Sequence, residues 1–334
     1  GAPHVSTRPP AMLDRFGRLH SYLRVSVTDR CNFRCVYCLP EEGAQYMPRK
    51  ELLSYEEIAR IVAAMAPMGL RRVRLTGGEP TVRRDLPDLV RAIAAVPGID
   101  DISLTTNAHR FASQARVLAD AGLNRVNISI DSLDAQRFAT ITRGGDLAAV
   151  LAGIEAARAA RLFPIKLNMV VMRGVNDDEI VPMARYVLPH AENTILRFIE
   201  YMPFEGRWHE NVPASEMRSR LEAEFGALAP VGETLGGGPA KYQRVGPLTV
   251  GFIAPLSEHF CATCNRLRLL ADGHLRTCLA HEDTPSLRDV MRRGAADEEL
   301  SATIRGIVRG KPAGHEAGVE GGRFFEGVMT HIGG

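Results

Sequence analysis

Residues 24–38 read RVSVTDRCNFRCVYC, a segment of alternating polar and apolar residues that runs into three closely spaced cysteines. The alternation predicts a β-strand, because successive side chains of a strand point to opposite faces of the sheet. One face would carry Arg24, Ser26 and Thr28, and the other face would be apolar. The cysteines follow at the carboxyl end of this strand, where α/β barrels place their active sites. The stretch therefore predicts a strand that leads into a functional site.

All six cysteines of the chain fall into two groups of three. Three thiolates are one ligand short of a closed tetrahedral site, so each group would leave one coordination position open for a substrate or cofactor atom. Zinc remains an alternative, because a histidine could complete either site, with His259, His274 or His281 near the second group. The two groups are Cys31, Cys35 and Cys38, and Cys261, Cys264 and Cys278.

Strand-like segments alternate with helix-compatible segments over the first two thirds of the chain. Ser54 and Glu57 form a predicted capping box at the start of the first helix. Because parallel strands need crossover connections, the alternation predicts a parallel sheet. We expect an α/β fold with an incomplete (β/α)6 TIM-like barrel. The predicted strands are 22–30, 72–76, 101–106, 125–131, 165–171 and 194–200.

The pattern changes after residue 225. Glycines and a proline at 236–239 precede hairpin-like strands, and residues 271–273 (ADG) are typical of a turn. We therefore predict an N-terminal arm over 1–20, a partial barrel over 21–225 and a C-terminal region over 226–334.

One face of each predicted strand is polar. An antiparallel sheet with one solvent-exposed face is one explanation, but helices between strands normally cover the outside of a parallel sheet. The polar face would then line an open lumen that holds a large polar ligand, unlike the packed interior of a complete barrel. The polar positions are Arg24, Ser26, Thr28, Arg72, Arg74, Thr76, Ser103, Thr105, Asn127, Ser129, Asp131, Lys166, Asn168 and Arg197.

Composition indicates a globular enzyme. The 334 residues are 45% hydrophobic and 24% charged, with a formal charge of +2, so any polyanion must be held by local arginines and a nucleic-acid partner is not indicated. The first residues do not resemble a signal peptide, and no apolar run reaches the roughly 18 residues of a membrane span. Unpaired thiols also suit a reducing compartment, so we expect a cytoplasmic protein.

RVSVTDRCNFRCVYC and RLTGGEP (74–80) resemble the radical S-adenosylmethionine superfamily. FCATCNRLRL (260–269), LRTC (275–278) and the terminal MTHIGG (329–334) narrow the resemblance to the GTP 3′,8-cyclase family of molybdenum cofactor biosynthesis. The resemblance runs from about residue 12 to the final glycine. One departure is Ala108, which stands where this family usually has glycine.

The resemblance implies two [4Fe–4S] clusters, one on each cysteine group, and S-adenosylmethionine as cofactor. Cys31, Cys35 and Cys38 would be catalytic as the ligands of the first cluster. The cofactor-binding residues would be Tyr37, Gly77, Gly78, Glu79, Ser129 and Met202. The substrate-binding residues would be Arg24, Arg74, Thr105, Lys166, Arg197, Arg266, Arg268, Gly333 and Gly334.

The reaction implied by the family begins with a 5′-deoxyadenosyl radical formed from S-adenosylmethionine. That radical abstracts the ribose 3′ hydrogen of GTP, the carbon radical adds to guanine carbon 8, and reduction gives (8S)-3′,8-cyclo-7,8-dihydro-GTP. The family also implies a reduced electron donor such as flavodoxin or ferredoxin, a downstream cyclic pyranopterin monophosphate synthase, and a homodimer.

Two alternatives remain at this point. A peptide-modifying radical S-adenosylmethionine enzyme with an auxiliary cluster would share the first motif and the barrel, but such enzymes usually carry more than three downstream cysteines. A non-enzymatic zinc-binding module would have no use for GGEP or for an arginine-lined lumen.

Overall fold

The computed structural model describes residues 11–38, 45–202, 210–231, 239–255, 257, 264–278 and 284–313. In chain order its regular elements are β1 (Tyr22–Ser26), α1 (Tyr55–Met65), β2 (Arg72–Thr76), α2 (Leu86–Ala94), β3 (Asp101–Thr106), α3 (Ala115–Ala121), β4 (Arg125–Ser129), α4 (Ala135–Thr142), α5 (Leu147–Ala159), β5 (Ile165–Val171), α6 (Ile180–Val187), β6 (Thr194–Glu200), α7 (Ala214–Phe225), β7 (Ala229–Pro230), β8 (Lys241–Val245), β9 (Leu248–Ile253), β10 (Arg266–Leu269), β11 (Leu275–Arg276), α8 (Leu287–Arg292) and α9 (Asp297–Arg309). Among the described helices, none has the length and apolar character needed to cross a membrane.

The six predicted strands form the centre of one sheet, and β1 to β6 pair in parallel and in chain order. This confirms the predicted α/β fold. The sheet is open along its hydrogen-bonded order, β11-β10-β1-β2-β3-β4-β5-β6-β9-β8-β7.

Four strands have the predicted bounds, whereas β1 and β4 are shorter than predicted. Beyond β4, the carboxylate of Asp131 accepts a hydrogen bond from the Val170 amide at 2.9 Å. The Asp131 side chain thus accepts the hydrogen bond that a backbone carbonyl would accept if β4 continued beside β5. The chain turns away from the sheet at this point.

The apolar face of the parallel strands packs against the helices, as the alternation predicts. Leu23 and Val25 of β1 are fully buried in the main core. Helix α1 begins at the predicted capping box, in which the Glu57 amide donates to Ser54 Oγ at 3.1 Å and the Ser54 amide donates to Glu57 Oε1 at 2.9 Å. Such a box satisfies two amides that the first turn of a helix leaves without partners.

The C-terminal strands extend this sheet at both ends. Strand β9 pairs in parallel with β6 and forms a hairpin with β8, while β10 pairs in parallel with β1 and forms a hairpin with β11. The predicted turn at 271–273 closes the second hairpin, with Gly273 at φ +90°. The domain boundary at 225/226 stays a prediction.

Candidate active site

The first cysteine group lies on a loop held by the end of α4. The Arg34 amide donates to the Thr142 carbonyl at 3.1 Å, and the Val36 amide donates to the Ile141 carbonyl at 3.0 Å. The thiols of this loop are free and partly buried: Cys31, Cys35 and Cys38. The loop follows the carboxyl end of β1, as predicted.

Burial raises the pKa of all three thiols. The pKa of Cys31 rises to about 11, and that of Cys35 rises well above its ordinary value because burial is reinforced by Cys38 and Asp131. Burial and the Asp131 carboxylate also raise the pKa of Cys38. Iron binds the thiolate form, so this pocket needs positive charge to ionise its three sulfurs.

The donor set of the loop fits an iron–sulfur cluster. In the described ranges, no group of three or more histidine, cysteine or carboxylate side chains could hold a single metal ion. A cluster instead distributes its thiolate ligands over separate irons. Three free thiols grouped on one loop are the ligands that such a cluster would use.

Tyr37 ties this loop to the ends of β4 and β5. Its hydroxyl donates to the Asp131 carboxylate at 2.5 Å, and burial raises the pKa of Asp131 to about 6. The buried amide of Asn176 donates to the carbonyls of both Asp131 and Val170 at 2.8 Å. The position of Tyr37 is thereby fixed, and its contact with a cofactor stays a prediction.

The GGEP segment packs directly on the residues that precede Cys31. The Gly78 amide donates to the Thr28 carbonyl at 2.9 Å, and the Glu79 amide donates to the Arg30 carbonyl at 2.8 Å. A Cβ on Gly78 would lie 2.6 Å from the Arg30 carbonyl carbon, so only glycine allows this approach. The predicted approach of Gly77 and Gly78 to the methionyl group stays a prediction.

Glu79 is a buried carboxylate that organises the loop after β3. It accepts hydrogen bonds from the Thr106 hydroxyl at 2.6 Å and the Asn107 amide at 2.8 Å, and burial raises its pKa to about 7. Ala108 follows with φ +60°, a left-handed conformation that glycine adopts more readily than alanine. The role of Glu79 toward an ammonium group stays a prediction.

Four arginines stand in one row across the polar face. Arg268 pairs with Arg24, Arg24 with Arg74, Arg74 with Ser103, and Ser103 with Arg125 across β10, β1, β2, β3 and β4. Paired residues of neighbouring strands share a face of the sheet, so these side chains point to the same side. The next row contains Thr105, Asn127 and Lys166.

Buried amides and a hydroxyl orient the guanidinium groups. Arg197 Nε donates to Asn168 Oδ1 at 2.8 Å, and Arg74 Nη1 lies 3.5 Å from Thr105 Oγ1. Asn127 lies between Arg74 and Arg197, and with its amide oxygen turned toward them it accepts from both. The predicted substrate-binding residues of β2, β3, β5 and β6 therefore meet in one place.

Burial and neighbouring cations lower the pKa values of three of these groups, Arg74, Arg268 and Lys166. Burial and then neighbouring charges lower the pKa of Arg74 and of Arg268 to about 10. Burial, followed by the charges of Arg197, Arg125 and Arg74, lowers the pKa of Lys166 to about 6. Because the charged forms of Arg74, Arg268 and Lys166 are disfavoured by burial and by neighbouring cations, the lumen favours a polyanionic ligand.

Lys166 predicts a pH dependence of polyanion binding. A bound polyphosphate favours its charged form, so binding above pH 6 requires proton uptake. We expect the dissociation constant for GTP to rise by up to about tenfold per pH unit between roughly pH 7.5 and 8.5, above the range near 6 in which phosphate groups titrate. Calorimetry in two buffers of different ionisation enthalpy measures the proton uptake. Lys166→Met is expected to remove it, and an unchanged uptake in that variant would contradict the assignment.

The second cysteine group is described in part. Burial would raise the pKa of Cys264, but Arg266 and Lys311 lower it to about 7. Lys311 Nζ donates to the Arg266 carbonyl at 2.8 Å and lies 3.5 Å from Cys264 Sγ. Cys278 is a free, partly buried thiol. Cys261, Gly333 and Gly334 lie outside the described residues.

Two predicted cofactor contacts lie at the carboxyl ends of strands. Ser129 is the last residue of β4, Met202 follows β6, and both are partly buried. Their roles stay predictions.

Several lumen residues were missed from the sequence. Tyr22 is buried, and Arg74 stands 5.6 Å from its ring; Lys166 Nζ lies 5.6 Å from the ring of Tyr242. Arg125 was also missed, although it has the same parity in its strand as Asn127. The alternation of side chains along a strand could have identified Tyr22 and Arg125, because each lies two residues before a predicted lumen residue, Arg24 and Asn127 respectively.

Comparisons with known proteins agree with this arrangement. A family model described as the radical SAM superfamily matches residues 25–187, and one described as Molybdenum Cofactor Synthesis C matches residues 194–317. A curated GTP 3′,8-cyclase of Pelotomaculum thermopropionicum is 47% identical over 329 residues, covering 97% of this chain and 100% of that protein. The chain belongs to the GTP 3′,8-cyclase family.

A second member of the GTP 3′,8-cyclase family, from Rhodopseudomonas palustris, is 46% identical over 339 residues, covering 99% of this chain and 96% of its own. Among solved structures, Streptococcus suis SuiB bound to precursor peptide SuiA aligns with a TM-score of 0.60 at 15% identity, covering 87% of this chain and 68% of SuiB. This likeness shows the shared fold alone.

Proposed function

We propose that the protein converts GTP to (8S)-3′,8-cyclo-7,8-dihydro-GTP with S-adenosylmethionine, the first step of molybdenum cofactor biosynthesis. One observation carries the proposal: three partly buried thiols follow the carboxyl end of β1, and a row of arginines crosses the lumen face of the same strand. A radical-generating site and a polyanion site would thus share one lumen. Relatives named GTP 3′,8-cyclase support this substrate.

A [4Fe–4S] cluster on Cys31, Cys35 and Cys38 would supply the electron that cleaves S-adenosylmethionine to a 5′-deoxyadenosyl radical. The chain contributes positioning. Loop 31–38 is fixed by α4 and by the bond from Tyr37 to Asp131. A ribose held near this loop would react in preference to other groups, because orientation lowers the barrier for the selected hydrogen.

The arginines would hold the nucleotide during this reaction. Guanidinium groups match phosphate oxygens by paired hydrogen bonds, and buried cations bind them more strongly than exposed ones. Arg266 and Arg268 follow Cys264 closely on the chain. A nucleotide on these arginines would lie near the second cysteine group, where the proposed second cluster would bind the guanine.

The alternatives lack such support. The likeness to SuiB bound to its precursor peptide is one of fold, and the lumen is lined by cations suited to phosphates. A zinc-binding module would require neither the GGEP packing nor the arginine row.

The test is an anaerobic incubation of reconstituted protein with a reductant, S-adenosylmethionine and GTP. Mass spectrometry is expected to show 5′-deoxyadenosine and a cyclised isomer of GTP, both dependent on GTP. GDP and ATP in separate incubations test the triphosphate and the base. Formation of 5′-deoxyadenosine at the same rate without any nucleotide would refute GTP as the substrate.

We also propose partners and a cellular location for the protein. The electron donor would be a protein such as flavodoxin or ferredoxin, and the product would pass to cyclic pyranopterin monophosphate synthase. A homodimer and a cytoplasmic location are likewise proposed.

A further inference from the structure

We propose that Arg125, held by Asp101, is a further substrate-binding residue that contacts the polyphosphate of the nucleotide. The inference rests on the proposed function, because GTP is the substrate considered.

Arg125 belongs to the same row as three predicted substrate-binding arginines. Through Ser103, it continues the register of Arg268, Arg24 and Arg74. Its side chain is on the lumen face, two residues before Asn127 on β4. A ligand that spans this row would meet Arg125 at its far end.

Asp101 fixes the orientation of this guanidinium. Arg125 Nε donates to Asp101 Oδ1 at 3.0 Å, and Nη2 donates to Oδ2 at 2.7 Å. This two-point contact leaves Nη1, which is buried and has no hydrogen-bond partner among the described residues. The Arg125 side chain is only 8% exposed, so an unused donor at this position is costly unless a ligand accepts from it.

A purely structural role for the ion pair of Arg125 and Asp101 explains these observations less well. A buried pair is weak evidence for stability by itself, because removing two charges from water offsets their attraction. Here the charge of Arg125 also acts on Arg74 and Lys166 and lowers the pKa of both. Burial would lower the pKa of Arg125, but the hydrogen bonds to Asp101 raise it. Arg125 therefore stays charged beside the other cations, and a bound polyanion would offset the repulsion among them.

Phosphate is the ligand chemistry that this geometry favours. An arginine pre-oriented by a carboxylate presents its remaining N–H groups in a fixed plane, which suits phosphate oxygens. Asp101 would repel a bound anion, but both of its oxygens accept from Arg125 and its pKa is lowered by that guanidinium despite burial. The carboxylate therefore acts as a positioning group.

The experiment compares the dissociation constants of GTP, GDP and GMP in Arg125→Gln and in the parent, with both clusters reconstituted. Losing a charged hydrogen bond to phosphate is expected to weaken GTP binding by about tenfold or more and to reduce the preference for GTP over GMP. Asp101→Asn is expected to change this preference in the same direction by a smaller factor. Arg125→Lys keeps the charge and is expected to fall between the parent and Arg125→Gln.

A matched control lies on the surface. Arg71 also pairs with an aspartate: its Nε and Nη2 both donate to Asp100 Oδ2, at 3.0 and 2.6 Å, and its side chain is 66% exposed. Arg71→Gln is expected to leave all three affinities unchanged. Melting temperature and iron content show whether each variant is folded and loaded.

The outcomes separate two failures. A structural role for Arg125 predicts that Arg125→Gln or Arg125→Lys weakens GTP and GMP equally, or only lowers the melting temperature, and either result overturns this inference. If the parent neither binds nor converts GTP, the proposed function fails and this inference fails with it. If the parent converts GTP and the folded variants keep its preference for GTP over GMP, only the inference fails.

Discussion

Cys35→Ala is expected to abolish the formation of 5′-deoxyadenosine. Cys35 lies between the other two thiols of its loop, and its side chain packs against the main core. Without its thiolate the first cluster would lose one of three protein ligands, and the cofactor carries the difficult step of the reaction. Activity should fall to background, a loss on the order of 10⁶-fold or more given usual enzymatic accelerations.

Iron analysis and electron paramagnetic resonance check this result. The reconstituted variant should hold about half of the parent's iron, because the second cysteine group is unchanged. Val36→Ala is the control, since the Val36 amide holds the loop through its backbone and the three thiols remain. Full activity in Cys35→Ala would show that this loop does not hold the catalytic cluster.

Gly78→Ala is expected to weaken use of S-adenosylmethionine by about 10²-fold in kcat/KM, because a small misplacement near the reacting groups has effects of that size. The added Cβ would collide with the Arg30 carbonyl. That carbonyl precedes Cys31 and accepts the hydrogen bond of the Glu79 amide. The substitution therefore moves the GGEP segment against the cysteine loop.

The change in the paramagnetic resonance spectrum on adding S-adenosylmethionine provides a second measurement. In Gly78→Ala this change should require a higher cofactor concentration. Gly306→Ala is the matched control: Gly306 lies inside α9, and an added Cβ there would meet no described atom within 4 Å apart from its chain neighbours and its own helix backbone. Alanine at this position should stabilise the helix by about 0.5–1 kcal/mol. A parental kcat/KM for S-adenosylmethionine in Gly78→Ala would contradict the proposed contact.

Strand positions and the polar lumen could be predicted because both depend on local periodicity. Arg24 and Arg74 have polar neighbours two residues away on a strand, and such alternation specifies a face regardless of what lies next to it. The capping box at Ser54 is local in the same way. These features need no knowledge of long-range pairing.

Features that depend on pairing between distant strands could not be predicted. The register places Arg268 beside Arg24, although the two residues are far apart in the chain. The pairing of Arg125 with Asp101 likewise depends on the alignment of β3 with β4. The packing of Gly78 on Arg30 was also missed. A glycine in the sequence can indicate close approach of the chain to a ligand or to another stretch of backbone, and the sequence alone does not distinguish the two.

The most direct test of the central claim uses GTP deuterated at ribose carbon 3′. In an anaerobic reaction of the reconstituted protein, mass spectrometry should detect a single deuterium transferred to 5′-deoxyadenosine, together with the cyclised nucleotide. This result requires that the radical formed at the cysteine loop takes the ribose 3′ hydrogen of a bound GTP. Unlabelled 5′-deoxyadenosine, formed while GTP remains unchanged, would contradict the account.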